Sequence, residues 1–247
     1  MPLSTADSPP RLDARIVALL ACPSCHGKLE GPGSDEGDLA CPGCAVTYPS
    51  SPGGGWDLRP RRYRPFSLEV DLARPLPADG EYNSGPLPLA ERPEVDFSRM
   101  SVPHHLTPEM LSHFPRGRRP DSAMLDLGCG TTIHRGVCER AGFVYVGLDY
   151  DAPQAPILGD AHALPFRDDC FDFVLTVAVL EHIRNPFVMM REVERVLAPG
   201  GRVVGTVAFL EPFHGDSYYH HTHLGTLNTL HSAGCGSSTS RRWCAGT

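Results

Sequence analysis

Hydrophobic runs and amphipathic stretches alternate in the second half of the chain, from residue 123 onward. Short apolar runs predict strands, and apolar residues at helical spacing predict helices between them. We predict strands at 123–127, 143–148, 156–159, 171–177 and 202–209, and helices at about 133–141, 185–196 and 222–233. Regular alternation of this kind is typical of a mostly parallel sheet with flanking helices, so we predict a Rossmann-like α/β fold.

The first hundred residues lack this alternation and divide by composition. We predict a disordered N-terminus at 1–12, a small cysteine-containing module at 13–57 and a Pro- and Arg-rich linker at 58–100. The larger domain is then 101–233. It opens with Thr107 as the N-cap of a short helix that has Pro108 at its first position.

Four cysteines in the small module have the spacing C-x2-C-x15-C-x2-C: Cys22, Cys25, Cys41 and Cys44. Two tight turns that each carry two thiolates supply a tetrahedral sulfur shell, which is typical of a closed structural Zn²⁺ site. Two disulfides, or four unrelated buried cysteines, are the alternatives. The spacing and the expected reducing compartment disfavour them. Because so short a segment buries little core, we expect the metal to hold it folded.

Charge and length limit the classes of function. The chain has 247 residues and a formal net charge of −7, which disfavours nucleic acid as a partner because phosphate neutralisation dominates such binding. No signal peptide and no membrane span are evident, so we expect a cytoplasmic protein. A small-molecule substrate fits this composition better than a polyanion.

The stretch "MLDLGCGTT" at 124–132 follows an apolar strand and precedes a helix. Gly128 and Gly130 allow the backbone to approach a ligand closely. Asp149 ends the next strand, 21 positions after Gly128, where a carboxylate can accept hydrogen bonds from ribose hydroxyls. Asp160 follows the third strand, at the level of an adenine ring. Each aspartate alone could be a turn or cap residue, but their order indicates a nucleoside cofactor.

Residues 123–233 resemble class I S-adenosylmethionine-dependent methyltransferases of the type 11-like group. The resemblance rests on "LDLGCG", "GLD", "GDAHALPF", "FDFVLTVAVLEHI" and "LAPGGRVVGT", which occur in the family's order. It implies S-adenosyl-L-methionine as cofactor, and these contacts: Asp126, Gly128 and Gly130 along the methionine moiety, Asp149 on the ribose, Asp160 and Ala161 at the adenine, and Val177 beside the sulfonium.

Two positions bear on this resemblance. Thr132 stands where the family usually has glycine. Ile133 stands where the glycine loop of a dehydrogenase would have its third glycine, so hydride transfer is the weaker interpretation.

The cysteine module resembles a second family. Residues 14–58 are similar to the small zinc-ribbon domain of methyltransferase activator subunits, including all four cysteines and the aromatic-Pro turn at Tyr48-Pro49.

The two resemblances imply methyl transfer to a small metabolite or biosynthetic intermediate. An RNA methyltransferase is one alternative, and a truncated, non-catalytic protein that binds cofactor or docks through its ribbon is another. Histidines in "FHGDSYYHHTH" follow the fifth strand, and we predict His214 and His221 as catalytic bases. Glu181-His182 is expected to shape the cofactor wall.

The C-terminus departs from the family pattern. The family continues into two further strands, whereas this chain ends in the polar "GSSTSRRWCAGT". We therefore expect a truncated sheet with an aberrant or disordered tail at 234–247. An apolar fifth strand left at the edge would pair with other chains, so we predict self-association through it.

Overall fold

The computed structural model describes residues 12–31, 37–62, 65–67, 88–209, 215–232 and 242–246. They form a small ribbon and a six-stranded sheet with flanking helices. The ribbon contains the short helix α1 (Ala14–Val17) and an antiparallel hairpin, β1 (Leu39–Cys41) and β2 (Val46–Tyr48). Asp13 caps α1 by accepting a hydrogen bond from the Arg15 N–H at 2.8 Å.

The sheet is parallel throughout and has the order β5-β4-β3-β6-β7-β8. Its strands are β3 (Ala123–Leu127), β4 (Val144–Asp149), β5 (Ile157–Leu158), β6 (Phe171–Val177), β7 (Leu197–Thr206) and β8 (Arg242–Gly246). The predicted Rossmann-like fold is confirmed, with all five predicted strands present. β7 begins earlier than predicted because Leu197 pairs with Phe171 ahead of an irregularity in the register.

The helices described outside the ribbon are α2 (Pro108–Ser112), α3 (Arg135–Arg140), α4 (Pro186–Val196) and α5 (His223–Ser232), with one 3₁₀ turn at Leu180–His182. Thr107 caps α2 as predicted, since its Oγ1 accepts from the Met110 N–H at 3.3 Å. α3 begins two residues later than predicted, because the preceding residues form the loop that follows β3.

The predicted open edge at the fifth strand is wrong. β8 pairs in parallel with β7 from Arg202 to Thr206, so residues 242–246 are a strand and not an aberrant tail. The backbone groups of β7 that would have been free are bonded on both sides. This pairing removes the physical basis for self-association through that edge.

Part of the predicted linker belongs to the core. Val95 and Phe97 are buried, and the Phe97 ring meets that of Phe114 edge-on at 5.6 Å. Both lie in the apolar cluster that covers the α3 side of the sheet. By its packing, the larger domain therefore includes residues ahead of 101.

The ribbon packs directly on the sheet. Asp57 forms a parallel bridge with Leu158 of β5, and Ala21 donates its N–H to the Pro165 carbonyl at 2.9 Å. One apolar cluster includes the ribbon residues Ile16, Leu20, Leu39, Tyr48 and Leu58 together with side chains of the central strands. The ribbon thus covers the β5 edge and shares a core with the sheet.

Candidate cofactor crevice and metal centre

The four ribbon cysteines converge as predicted. Their Sγ atoms all lie within 4.8 Å of one another, with 3.9 Å between Cys22 and Cys44 and 3.4 Å between Cys25 and Cys41. A tetrahedral ion with Zn–S bonds of about 2.3 Å separates its sulfurs by about 3.8 Å. The cluster therefore fits Zn²⁺ in size and in donor chemistry.

The same type of backbone turn follows each cysteine pair. His26 and Ala45, the residues that directly follow the second cysteine of each pair, are left-handed, with φ of 57° and 51°. In the first pair the chain turns back at once, as the Cys22 N–H donates to the Gly27 carbonyl at 2.9 Å. This turn points both thiols to the same side.

Tyr48 supports the cluster from the second strand of the ribbon. Its hydroxyl lies 3.4 Å from Cys22 Sγ, and the ring is fully buried. Burial by itself would raise the pKa of Cys22, but hydrogen bonds from Tyr48 and from backbone N–H groups lower that pKa to about 7. A thiol of this kind loses its proton readily, as a metal ligand must.

The glycine loop lies at the carboxyl ends of β3, β4 and β6, where parallel sheets bind ligands. Gly128 and Gly130 have φ of 76° and 49°. A Cβ at Gly128 would lie 2.3 Å from Val179 Cγ2, whereas a Cβ at Gly130 would meet nothing within 4 Å. Gly128 is thus required by packing, and Gly130 leaves open space beside the loop.

Thr132 is the third residue of the loop with a left-handed backbone, and its φ is 63°. Left-handed backbone costs a β-branched residue about 1–2 kcal/mol. The departure noted in the sequence is therefore a point of strain, and it explains the preference for glycine there.

Asp149, the last residue of β4, is hydrogen-bonded to the glycine loop. Its Oδ2 accepts from the Gly130 N–H at 2.9 Å, and its Oδ1 accepts from the N–H groups of Asp151 and Ala152, both at 3.2 Å. A carboxylate has about four acceptor sites and three of them are used here, so Oδ2 can accept from one further donor. The side chain is only partly buried, so a diol at this edge could reach it.

Asp126 has a different environment from the one expected. Its side chain is fully buried, and its carboxylate is bonded to Tyr145 and His134. It therefore lies behind the glycine loop and does not line the crevice directly.

Asp160 is engaged by a residue that the sequence analysis did not single out. His162 Nδ1 lies 2.6 Å from Asp160 Oδ1, and His162 Nε2 accepts from the Asn185 N–H at 3.1 Å. These contacts connect the segment after β5 to the start of α4. Ala161 is buried beside them, and Val177 is half-buried at the end of β6.

Glu181, which follows β6, is in contact with the histidine-containing segment that follows β7. Glu181 is fully buried, and its backbone carbonyl accepts from the Tyr218 N–H at 2.7 Å. His221 is only 6% exposed, and burial lowers its pKa. Among the described residues, neither Glu181 Oε2 nor His221 Nε2 has a hydrogen-bond partner, although both atoms are buried. His214 lies outside the described residues.

Sequence reasoning missed a histidine pair. His105 Nε2 lies 2.6 Å from His134 Nε2, which joins the segment before α2 to the residue that ends the glycine loop. The two adjacent histidines at 104–105 are visible in the sequence. Nothing in the sequence indicates that His105 contacts a histidine 29 positions away.

Comparison with known families agrees with this geometry. A methyltransferase domain model matches residues 125–205, and a Trm112p-like protein model matches residues 13–49. The chain therefore combines a segment similar to methyltransferase domains with a segment similar to Trm112p-like proteins. The methyltransferase domain thus contains the glycine loop and Asp149, and the Trm112p-like ribbon contains the four cysteines.

Curated relatives match the methyltransferase domain. Demethylmenaquinone methyltransferase from Streptomyces avermitilis is 36% identical over 97 residues, which are 35% of this chain and 42% of the relative. A methyltransferase of uncharacterised role from Mycobacterium marinum is 33% identical over 106 residues, or 37% of this chain and 42% of the relative. The chain spans less than half the length of these two relatives.

Solved structures resemble the chain more distantly. A complex between the Haloferax volcanii Trm112 methyltransferase activator and a candidate methyltransferase is 21% identical with a TM-score of 0.42, covering 49% of this chain and 62% of that one. Haemonchus contortus phosphoethanolamine N-methyltransferase 2 with S-adenosyl-L-methionine is 21% identical with a TM-score of 0.41, covering 49% and 34%. Within the described part of the chain, no helix is long and apolar enough to cross a bilayer.

Proposed function

We propose that this chain transfers a methyl group from S-adenosyl-L-methionine to a small molecule. The observation that carries the proposal is the Asp149 carboxylate, which lies at the end of β4 and is bonded to the Gly130 N–H of the glycine loop at 2.9 Å. One carboxylate that fixes the loop and retains acceptor capacity suits a ribose diol. The methyltransferase family match over residues 125–205 supports the same assignment.

The cofactor supplies an activated methyl group when it is bound. Asp149 would hold the ribose, Gly128 and Gly130 would allow the methionine moiety to approach the backbone, and Val177 would border the reacting methyl. Asp160 and Ala161 would flank the adenine, with the Asp160 side chain already held by His162. Alignment of acceptor and methyl is the main contribution required of the protein.

The substrate class rests on charge and on the named relatives. A formal net charge of −7 does not favour a polyanionic acceptor, and the relative from Streptomyces avermitilis is named for a demethylmenaquinone substrate. We therefore propose an uncharged or cationic small molecule. The ribbon would hold one structural Zn²⁺ through its four cysteines and take no part in the chemistry.

Calorimetry with S-adenosyl-L-methionine tests the cofactor assignment. We expect binding to the wild-type chain, and Asp149→Ala should weaken it by about 2 kcal/mol, or roughly thirtyfold, through loss of a charged acceptor. Asp151→Ala, an exposed carboxylate on the same turn, is the matched control and should leave affinity unchanged. Tight binding of NAD without S-adenosyl-L-methionine binding would contradict the proposal.

Transfer of a labelled methyl group into small-molecule and RNA pools tests the acceptor class. We expect label in the small-molecule pool. Label only in RNA, with a steep salt dependence, would favour the RNA methyltransferase alternative. Cofactor binding with no transfer to either pool would favour the non-catalytic one.

A further inference from the structure

A continuous chain of hydrogen bonds lies behind the glycine loop. The Tyr145 hydroxyl donates to Asp126 Oδ2 at 2.7 Å, and His134 Nδ1 lies 3.1 Å from both Asp126 oxygens. His105 Nε2 then lies 2.6 Å from His134 Nε2. Asp126 and His134 are 0% and 4% exposed, whereas His105 is half-buried and is the only one of the four that solvent reaches appreciably.

With both histidines neutral, the donors and acceptors of this chain have one consistent arrangement. The Asp126 carboxylate accepts, so His134 must carry its hydrogen on Nδ1. Its Nε2 is then an acceptor, and the hydrogen between the two rings belongs to His105 Nε2. Nδ1 of His105 is thereby a free acceptor, and no described residue bonds to it.

Its contact with His134 holds His105 at the end of the glycine loop. His134 ends the loop that begins at Gly128, so its partner lies at the carboxyl edge of the sheet. Val102, three residues before His105, and Val177, at the end of β6, pack against the same apolar cluster. The segment 101–106 is therefore held against the α3 side of the sheet and against the end of the glycine loop.

We infer that His105 takes the proton from the methyl acceptor, and that His134 and Asp126 position it for that role. This inference rests on the proposed function. The acceptor would be a hydroxyl or a neutral amine that carries at least one hydrogen. Its oxygen or nitrogen forms the new bond to carbon, the C–S electron pair remains on sulfur, and the released proton goes to His105 Nδ1.

The surroundings keep His105 ready to accept a proton. Burial, together with His134 and His104, lowers its pKa below the ordinary value, with Asp126 acting in the opposite direction. Once Nδ1 is protonated, the Nε2–H bond to His134 persists and the Asp126 charge stabilises the imidazolium. Within the described part of the chain, His104 contacts His105, and the titratable and charged groups around the other end of the hydrogen-bond chain are Asp126, Tyr145, Arg135, Cys129 and Cys138.

His221 is the competing candidate, and its geometry is less suitable. It is 6% exposed, and its ring lies 5.8 Å from that of Tyr219, whose N–H donates to the Glu181 carbonyl at 3.3 Å. His105 is half-buried and is therefore more accessible to an acceptor.

Nitrogen-15 NMR of the full chain without cofactor tests the arrangement independently of activity. We expect His134 as the Nδ1–H tautomer, and His105 as the Nε2–H tautomer with a pKa below about 6.5. The opposite tautomers, or a His105 pKa above that value, would overturn the inference.

The pH dependence of methyl transfer then tests the role. The wild-type kcat should fall as pH decreases through the His105 pKa, and His105→Gln should lower kcat about a hundredfold, remove that limb and leave S-adenosyl-L-methionine affinity intact. His113→Gln, whose ring bonds to the Pro88 carbonyl at 2.8 Å instead of to this pair, is the control and should match wild type. His134→Gln should shift the limb without abolishing it.

The possible failures are distinguishable. Lack of S-adenosyl-L-methionine binding by the wild-type chain contradicts the proposed function itself. Normal binding and turnover in His105→Gln, with an unchanged acid limb, contradicts only the role of His105. Loss of the acid limb in His221→Gln instead of His105→Gln has the same meaning.

Discussion

Leu58 of the ribbon donates its backbone N–H to the carbonyl of Leu158 in β5 at 2.7 Å, and Leu158 in turn donates to Trp56 at 3.1 Å. The ribbon exit therefore continues the hydrogen-bond ladder of the sheet. Apolar side chains of the two parts also share one core. Stability of the methyltransferase domain should consequently depend on the metal.

The first prediction follows from this shared core. Cys41→Ser should abolish zinc binding and lower the free energy of unfolding of the whole described fold by about 3 kcal/mol, because the ribbon no longer covers β5. Cys170→Ser, a half-buried cysteine outside the ribbon, is the control and should retain the metal. Zinc content by elemental analysis and thermal unfolding by circular dichroism check the result. An unchanged unfolding midpoint in a zinc-free variant would show that the two parts are independent.

The second prediction concerns two glycines with opposite surroundings. Gly128→Ala should destabilise the protein and weaken cofactor binding, since its Cβ would lie 2.3 Å from Val179 Cγ2 at a φ of 76°. Gly136→Ala, in α3 with open space around the Cβ, should stabilise by about 0.5–1 kcal/mol. Chemical denaturation measures both. A stable Gly128→Ala variant with full affinity would refute the close contact.

The third prediction uses the strained threonine. Thr132→Gly should raise the free energy of unfolding by about 0.5–1 kcal/mol, because relief of left-handed strain exceeds the added entropy of the unfolded chain. Thr131→Gly, the neighbour without a positive φ, should lower it. Denaturation of the two variants side by side tests the sign. A destabilised Thr132→Gly would mean that side-chain contacts outweigh the strain.

The fourth prediction concerns stability and pH. Burial lowers the pKa of His221, with Leu180 and Glu181 opposing the shift, so the folded state binds fewer protons than the unfolded state. Its contribution is present above about pH 6.5 and is lost as pH falls through the folded pKa. His221→Gln should flatten the decline in unfolding free energy between about pH 7 and 5, and the exposed His220→Gln should not. Identical slopes in the two variants would contradict a buried, neutral His221.

Local sequence determined much of this protein. Apolar runs identified five strands, because a buried parallel strand shows a continuous apolar stretch within its own length. The cysteine spacing identified the metal ligands, because each knuckle is a local turn. The glycines and Asp149 were identifiable because the strand–loop–helix order fixes their distance along the chain.

Tertiary structure decided what depends on partners far apart in sequence. β8 has no apolar pattern of its own, and it is a strand because the edge of β7 offers unpaired backbone groups. Asp126 was expected along the crevice, but Tyr145 and His134 hold it behind the loop. The contact between His105 and His134 exists only because the segment before α2 folds over the end of the glycine loop. Local periodicity reports which face of an element is buried, and it carries no information about which distant residue lies on the other side.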